Sequence, residues 1–220
     1  MKTFTELQEG VYDPNIFNAF FISGGPGSGK SFVVRKTTGG LGMKIVNSDD
    51  IFEKLLDKEG LSKKMPASEK EPRDVVRQRA KELTAKKKAN FIEGRLGLII
   101  DGSGKDYDKI ARQATKLKQL GYDVHMIFVN TSLDVALERN AERPRSVQEP
   151  IVVKSWKSVQ SNIGKFSQYF RQNFVVVDNN DAGEDVFNKV FKQVMSLAKS
   201  RVQNNLGKQW ISNELAKKRR

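Results

Sequence analysis

The sequence contains no cysteine and a single histidine, His125. The first absence excludes disulfides, thiolate catalysis and cysteine-ligated zinc or iron–sulfur centres. The second excludes a histidine-cluster metal site and argues against a histidine-based catalytic triad. No apolar run approaches the ~18–20 residues of a membrane-spanning helix, and the N-terminus lacks the apolar stretch of a secretory signal. A soluble intracellular chain with no membrane partner is expected, cytoplasmic in the simplest case. Its 220 residues suit one compact domain, long enough to bury roughly 70% of the surface that the unfolded chain exposes.

What the sequence has in excess is positive charge. Lysine and arginine number 39 against 26 aspartates and glutamates, a net charge of +13 and a pI near 9.8. Such a balance fits anionic partners such as nucleotides, nucleic acid or phosphorylated metabolites, and equally a solvated basic surface.

Between its two ends the chain alternates short apolar runs with longer helical stretches. The runs are Ala19–Ile22, Met43–Val46, Leu96–Ile100, Val124–Val129 and Phe174–Val177. Each is continuous rather than alternating and bounded by Gly, Asn or Asp, as expected of parallel strands buried on both faces. Helices are expected from Gly29 to about Thr37, over Asp50–Lys58, Glu71–Arg95, Asp106–Leu120, Ser132–Asn140, Pro150–Phe170 and Gly183–Val202. This order predicts a doubly wound α/β fold, in which ligands bind beyond the carboxyl ends of the strands. Residues 1–14 read as a leader, 15–205 as the domain, and 206–220 as a basic tail, either frayed or a phosphate-contacting arm.

The first strand runs into Gly24-Gly25-Pro26-Gly27-Ser28-Gly29-Lys30-Ser31, which fits G-x-x-x-x-G-K-[ST] in full. Glycines let the backbone wrap a β-phosphate, with N–H groups aimed inward at a helix N-terminus. With glycine near 7% of residues, the four fixed positions recur in about one random chain of this length per hundred. The nucleotide-binding residues expected are Gly25, Pro26, Gly27, Ser28, Gly29, Lys30, Ser31 and Phe32. Lys30 is placed to reach the β- and γ-phosphates, and Ser31 to offer its hydroxyl to Mg²⁺. A phosphate loop establishes nucleotide binding, not the reaction.

The remaining strand ends bear on the reaction. After the second comes Asn47-Ser48-Asp49-Asp50. A kinase needs a carboxylate to orient an acceptor hydroxyl and take its proton, and Asp49 is assigned that role. Asp50 is assigned to the cap of the next helix or to a Mg²⁺-bound water. The third strand ends at Asp101, placed to hold a Mg²⁺-bound water or a substrate hydroxyl. Ser103 follows on the acceptor side. Lys105 either meets a substrate phosphate or is simply solvated. Beyond the fourth strand, Arg139 and Arg143 share one helix face ahead of Pro144 and Arg145. They are suited to a lid that stabilises γ-phosphoryl charge, with Arg139 foremost, or to surface pairing with Glu138 and Glu142. His125 reads as a core or sheet-face histidine, and Trp156 and Trp210 as packing residues.

These residues together resemble the zeta-toxin and polynucleotide-kinase-like branch of the P-loop kinases, over roughly Phe17 to Asn180. The resemblance rests on GGPGSGKS, NSDDIF, LIIDGSGKD, the GYDV turn into a strand, LERNAERPR and VVVDNND. It implies a five-stranded parallel sheet in the order 2-3-1-4-5 and transfer of the ATP γ-phosphate to a hydroxyl. Asp49 matches the acceptor-activating Asp, and Arg139 with Arg143 or Arg145 matches the lid. Asn179 falls in the family's segment near adenine, so Arg145 and Asn179 join the nucleotide-binding residues. Asp101 stands where zeta toxins place a Glu that contacts a nucleotide-sugar.

Three functions follow as expectations. The first is a kinase of a small metabolite such as a nucleotide-sugar. The second is a kinase of a DNA or RNA hydroxyl, favoured by the charge and by Arg77, Arg79, Lys81, Lys86, Lys87 and Lys88. The third is a non-catalytic nucleotide-binding protein. Met1–Gly10 also resembles the capsid-targeting leaders of internal phage proteins, with Leu7-Gln8-Glu9 as a cleavage signal. That resemblance implies phage origin, capsid association and a place in the host cytoplasm or the virion interior.

Overall fold

The computed structural model describes residues 10–143, 147–181 and 183–218. Of the residues 1–14 read as a leader, 1–9 lie outside the described residues, and Gly10–Tyr12 form a single 3-10 turn. Five parallel strands form one sheet: β1 (Asn18–Ser23), β2 (Lys44–Val46), β3 (Leu98–Asp101), β4 (Asp123–Asn130) and β5 (Phe174–Asp178). Their order is β2-β3-β1-β4-β5, as the sequence resemblance implies. Ala19 of β1 pairs with Leu98 on one side and Val124 on the other.

Every residue of β1 is buried, because helices cover both faces of the sheet. Side chains alternate between two cores. Phe21, Leu98, Val124, Met126 and Phe128 face one, and Phe20, Ile22, Ile99, Ile127 and Val129 the other. The first core is closed by α4 (Tyr107–Gln119), α6 (Glu149–Ser161) and α7 (Ile163–Phe170), the second by α1 (Lys30–Thr38) and α8 (Glu184–Lys199). Burying each of these large side chains contributes about 1.5–3 kcal/mol. A third, smaller cluster of Phe52, Leu56, Val76 and Ala80 joins α2 (Ser48–Lys58) to α3 (Lys70–Glu93). Between α4 and α6 lies α5 (Leu133–Ala141), capped by the Ser132 hydroxyl. No helix of the described residues is long and apolar enough to cross a membrane.

Two segments differ from expectation. The stretch 150–170 is not one helix: it breaks at Asn162, whose amide nitrogen donates to the carbonyls of Gly104 and Lys105, each at 3.1 Å. Asparagine trades helical continuity for backbone hydrogen bonds, and here it pins the loop after β3. The C-terminal segment is not a frayed tail. It forms α9 (Asn205–Lys218), whose Trp210 meets the Phe17 ring edge-on at 5.4 Å. Gly207 packs on Gly121 so closely that a Cβ at 207 would lie 2.5 Å from the Gly121 carbonyl oxygen. Asp123 fastens the turn into α9 by accepting from the backbone N–H groups of Gln203 and Asn204.

His125 is buried inside β4, stacked on Phe20 at 4.6 Å and hydrogen-bonded at Nε2 to Asn18. Burial pulls its pKa down from 6.5 to about 4. The unfolded chain therefore takes up a proton below pH 6.5 that the folded chain refuses until about pH 4. Stability gained from this residue is complete above pH 6.5 and falls with pH across that window, by about 3 kcal/mol in all. Burial raises the pKa of Asp101 and Asp123, which gives them the opposite slope, so the measurement is a comparison. His125→Gln should flatten the urea-denaturation profile between pH 4 and 6.5 relative to wild type; parallel profiles would refute the assignment.

Candidate functional site

The phosphate loop leaves the end of β1 and turns into α1 at Lys30. Two of its glycines are required by space as well as by backbone angle. At Gly27 (φ 77°) a Cβ would lie 2.0 Å from the Ala136 carbonyl oxygen, and at Gly29 (φ 79°) it would lie 2.4 Å from the Asn179 amide nitrogen. The loop is thus clasped between α5 and the segment after β5. Asn179, itself buried, donates to the Ser28 carbonyl at 2.8 Å. Trp156 lies beside Gly25 and donates from its indole to the Thr131 carbonyl at 2.8 Å.

The Lys30 ammonium donates to the carbonyls of Gly24 and Gly25, at 2.9 and 3.0 Å. Burial pushes its pKa down; the nearby Asp101 carboxylate opposes that, Arg143 adds to it, and Asp49 again opposes it. The Asp101 carboxyl is pushed up by burial and held back chiefly by Lys30. Three strand ends therefore deliver Lys30, Asp49 and Asp101 into one electrostatic neighbourhood. One oxygen of Asp101, Oδ1, is buried without a hydrogen-bond partner, as are the hydroxyls of Ser23 and Ser28.

Asn47 organises the acidic side. Its side-chain oxygen caps α2 by accepting from the Asp49 N–H at 2.8 Å. Its amide nitrogen donates to Asp50 at 3.0 Å and to Asp101 at 3.1 Å. The cap assigned to Asp50 thus belongs to Asn47. Asp50 instead receives a hydrogen bond, and burial with Glu53 and Asp49 nearby raises its pKa. Asp49 pairs with Arg77 of α3 at 3.7 Å, and that guanidinium stacks on the Phe52 ring at 3.9 Å.

Arg139, in the last turn of α5, and Arg143, past its end, part company. Arg139 donates to the carbonyls of Asn179 and Asn180 at 2.6 and 2.7 Å, so its guanidinium is committed to the segment after β5. Arg143 is the one whose charge reaches Lys30. Arg139 also lies against the phosphate loop, its Nη1 3.9 Å from where a Cβ at Gly29 would stand. Arg145 lies outside the described residues. Asn140, buried, holds the base of this loop by exchanging two hydrogen bonds with the backbone of Val147. The Phe32 ring meets Phe187 of α8 edge-on at 5.2 Å, and its N–H donates to the Gly29 carbonyl at 3.0 Å.

Beside the acids lies a cavity of about 490 Å³ between α3, the loop after β3 and α4. Ser48, Asp101, Ser103 and Lys105 line it. The carbonyl of Ser103 accepts from the Gly24 N–H at 3.3 Å, which joins this wall to the phosphate loop. Sequence reasoning gave Asn47 and Asn140 no role and named Arg77 only among the charges favouring a nucleic-acid acceptor. An Asn ahead of Ser-Asp-Asp is a capping signal, whereas nothing in the sequence places Arg77 over Phe52.

The zeta toxin family model matches residues 11–190. None of the curated proteins matches significantly. The solved AvrRxo1-ORF1:-ORF2 structure with ATP superposes with a TM-score of 0.59 at 14% identity, covering 86% of this chain and 66% of that one. The PezAT toxin–antitoxin system of Streptococcus pneumoniae gives 0.52 at 15% identity, covering 90% of this chain and 86% of that one. The Pnkp1/Rnl/Hen1 RNA repair complex gives 0.54 at 15% identity over 69% of this chain, which spans about half (47%) of that one. At such identities these likenesses are of fold. Because the family model runs from the turn before β1 into α8 and takes in the whole sheet, the chain belongs to the zeta toxin family of P-loop kinases.

Proposed function

We propose that this chain transfers the γ-phosphoryl group of ATP to a hydroxyl of a small molecule seated in the cavity beside β3. The observation that carries the reading is the convergence of Lys30, Asp49 and Asp101 on one end of the sheet, each perturbing another's charge. Family membership and the ATP-bound fold relative support ATP as the donor. The acceptor oxygen attacks the γ-phosphorus, the bond from that phosphorus to the β–γ bridging oxygen breaks, and ADP leaves. The acceptor proton passes to Asp49 and then to solvent. Lys30 follows the transferred charge, and Arg143 supplies a second cation from the end of α5.

Ser31 at the start of α1 and the partnerless Oδ1 of Asp101 fit a Mg²⁺ ion. No group of three His, Asp or Glu side chains among the described residues forms a protein metal cage, which suits an ion held largely by nucleotide phosphates. Held by the Ser31 hydroxyl and, through water, by Asp101, such an ion would supply neutralisation of charge on the phosphates.

The cavity's size, about 490 Å³, favours a small acceptor, nucleotide-sugars included, over a nucleic-acid strand, and its lining carries one aromatic ring, Phe21, rather than a row on which bases could stack. The test is transfer of labelled γ-phosphate to nucleotide-sugars, sugar phosphates, nucleosides and hydroxyl-terminated oligonucleotides. Transfer confined to oligonucleotides, or ATP consumption that no acceptor stimulates, would refute it. The arginines separate in the same assay. Arg139→Ala should raise the KM for ATP about tenfold with kcat nearly kept, since it shapes the nucleotide side. Arg143→Ala should instead lower kcat about 10²-fold. The reverse pattern would put Arg139 at the phosphate.

A further inference from the structure

Positive charge is spread unevenly over the molecule. Between residues 49 and 79, aspartate and glutamate match lysine and arginine one for one. There the two signs pair, Lys63 with Asp57 at 2.9 Å, Arg77 with Asp49 at 3.7 Å and Arg79 with Glu59 at 3.6 Å. The stretches 83–92, 109–122 and 150–177, in contrast, contain no acid. They make up the second half of α3, most of α4, and α6 with α7, the helices that cover one face of the sheet. The acids of α4 itself, Asp106 and Asp108, sit at its N-terminus, where the helix dipole favours them.

These helices abut. Lys88 of α3 donates to Gln113 of α4 at 3.0 Å, and the hydroxyls of Thr115 of α4 and Tyr169 of α7 lie 2.8 Å apart. Lys86 and Lys87 of α3, Arg112, Lys116 and Lys118 of α4 and Lys165 of α7 are all exposed on them. Among the described residues none of these is in an ion pair. Lys118 rests over the Tyr169 ring at 4.4 Å, Lys165 over Tyr107 at 5.7 Å and Lys87 over Phe91 at 5.5 Å. Such contacts seat the side-chain stems and leave the ammonium groups in water. Arg112 and Lys116, one helical turn apart, repel each other in the free chain, and an anionic partner turns that cost into attraction.

The chemistry of the face selects among polyanions. Neither α4 nor α7 presents an exposed large apolar side chain, so nothing there inserts into a bilayer. The aromatic rings lie under lysines and offer bases no stacking platform. What remains is an array of point charges, which suits phosphates regardless of base sequence. The 13 residues of α4 span about 20 Å, over which a nucleic-acid duplex carries about a dozen phosphate charges.

We propose that the outer face of α3, α4 and α7 docks the phosphate backbone of a nucleic acid, as a tether and not as the phosphoryl acceptor. Arg112, Lys116 and Lys118 lie beyond the first turn of α4, and none of them lines the cavity beside β3. Docking there requires nothing of the kinase reading.

The test is fluorescence anisotropy of the full chain with labelled duplex DNA, single-stranded DNA and RNA, across a range of salt. All three should bind, more weakly as salt rises. Arg112→Gln/Lys116→Gln/Lys118→Gln should weaken duplex binding about tenfold and flatten the log–log salt slope by about 2–3. Its affinity for an ATP analogue and its melting temperature should stay unchanged. Lys189→Gln/Lys192→Gln/Lys199→Gln removes the same charge from α8, which also carries Glu184 and Asp185, and should weaken binding less than about threefold. Equal weakening by the two triple variants would reduce the binding to net charge and overturn the face. Absence of binding at physiological salt would overturn it too. Phosphatidylserine vesicles and polyglutamate serve as competitors, and either one displacing the duplex as well as unlabelled DNA does, charge for charge, would assign the face to another partner. Phosphorylation of the bound oligonucleotide would overturn the tether. Failure of transfer to every small acceptor would defeat the kinase reading and leave this binding assay intact.

Discussion

Lys30→Met is expected to lower phosphoryl transfer by about 10³-fold without lowering the melting temperature. The loss follows from position. The Lys30 ammonium sits in the mouth of the phosphate loop, held by two carbonyls and by the fields of Asp101 and Asp49. It needs no reorganisation as charge migrates from the γ-phosphate, and a preorganised donor of this kind is worth about 10²–10³ in rate, more where it also grips the ground-state phosphates. The stability half of the prediction follows from the direction of its pKa. Burial penalises the charged form, so at neutral pH the folded chain holds an ammonium that would be better solvated in the unfolded chain. Methionine keeps the length and removes the penalty, and the two lost hydrogen bonds offset part of that gain. A labelled γ-phosphate transfer assay and a thermal melt of the same sample read both halves. A melting temperature that falls as far as for a core truncation would make Lys30 a structural residue first.

The strands were legible because each apolar run was bounded by turn residues, a pattern that needs only local sequence; burial on both faces holds for β1, β3 and β4, whereas the edge strands β2 and β5 expose Ile45 and Val176. Their order was not. β2 is separated from β1 by β3, an arrangement set by which helices pack where, and only the family resemblance supplied it. The break at Asn162 was hidden because its cause is a hydrogen bond to a loop 58 residues earlier in the chain. α9 was hidden because its docking depends on one glycine meeting another across the fold, which leaves few large apolar residues to mark a face.

The same division runs through the site. The phosphate loop could be read in full because its chemistry is contained in eight consecutive residues. The different surroundings of Arg139 and Arg143 could not be read: the sequence put both on one helix face, whereas α5 ends at Ala141 and the segment after β5 accepts two hydrogen bonds from Arg139. The lysines of α3 read as charges favouring a nucleic-acid acceptor, and most are exposed; Lys88 is partly covered and donates to Gln113 of α4.

Asp49→Asn is expected to lower transfer by about 10²–10⁴-fold while changing ATP affinity less than threefold, which is the signature of a lost proton acceptor. The substitution is conservative in every other respect. The backbone N–H of residue 49 still donates to Asn47, so the start of α2 is kept. The ion pair with Arg77 is solvent-accessible, so its loss costs well under ~1 kcal/mol of stability. Arg77→Met supplies the contrast: it leaves the carboxylate in place and removes the guanidinium that holds it against Phe52. A reduction of about tenfold in kcat, with ATP KM unchanged and the loss recovered by Arg77→Lys in part, would mark Arg77 as a positioning residue. Asp50→Asn should have the smallest effect of the three, since Asp50 accepts from Asn47 and its own charge is already disfavoured by burial. If Asp50→Asn were instead the variant that abolished transfer, or if Asp49→Asn lost nucleotide binding and turnover in equal measure, the proton acceptor would have to be sought elsewhere. Asp101, the remaining carboxylate in the field of Lys30, would be the next residue to test.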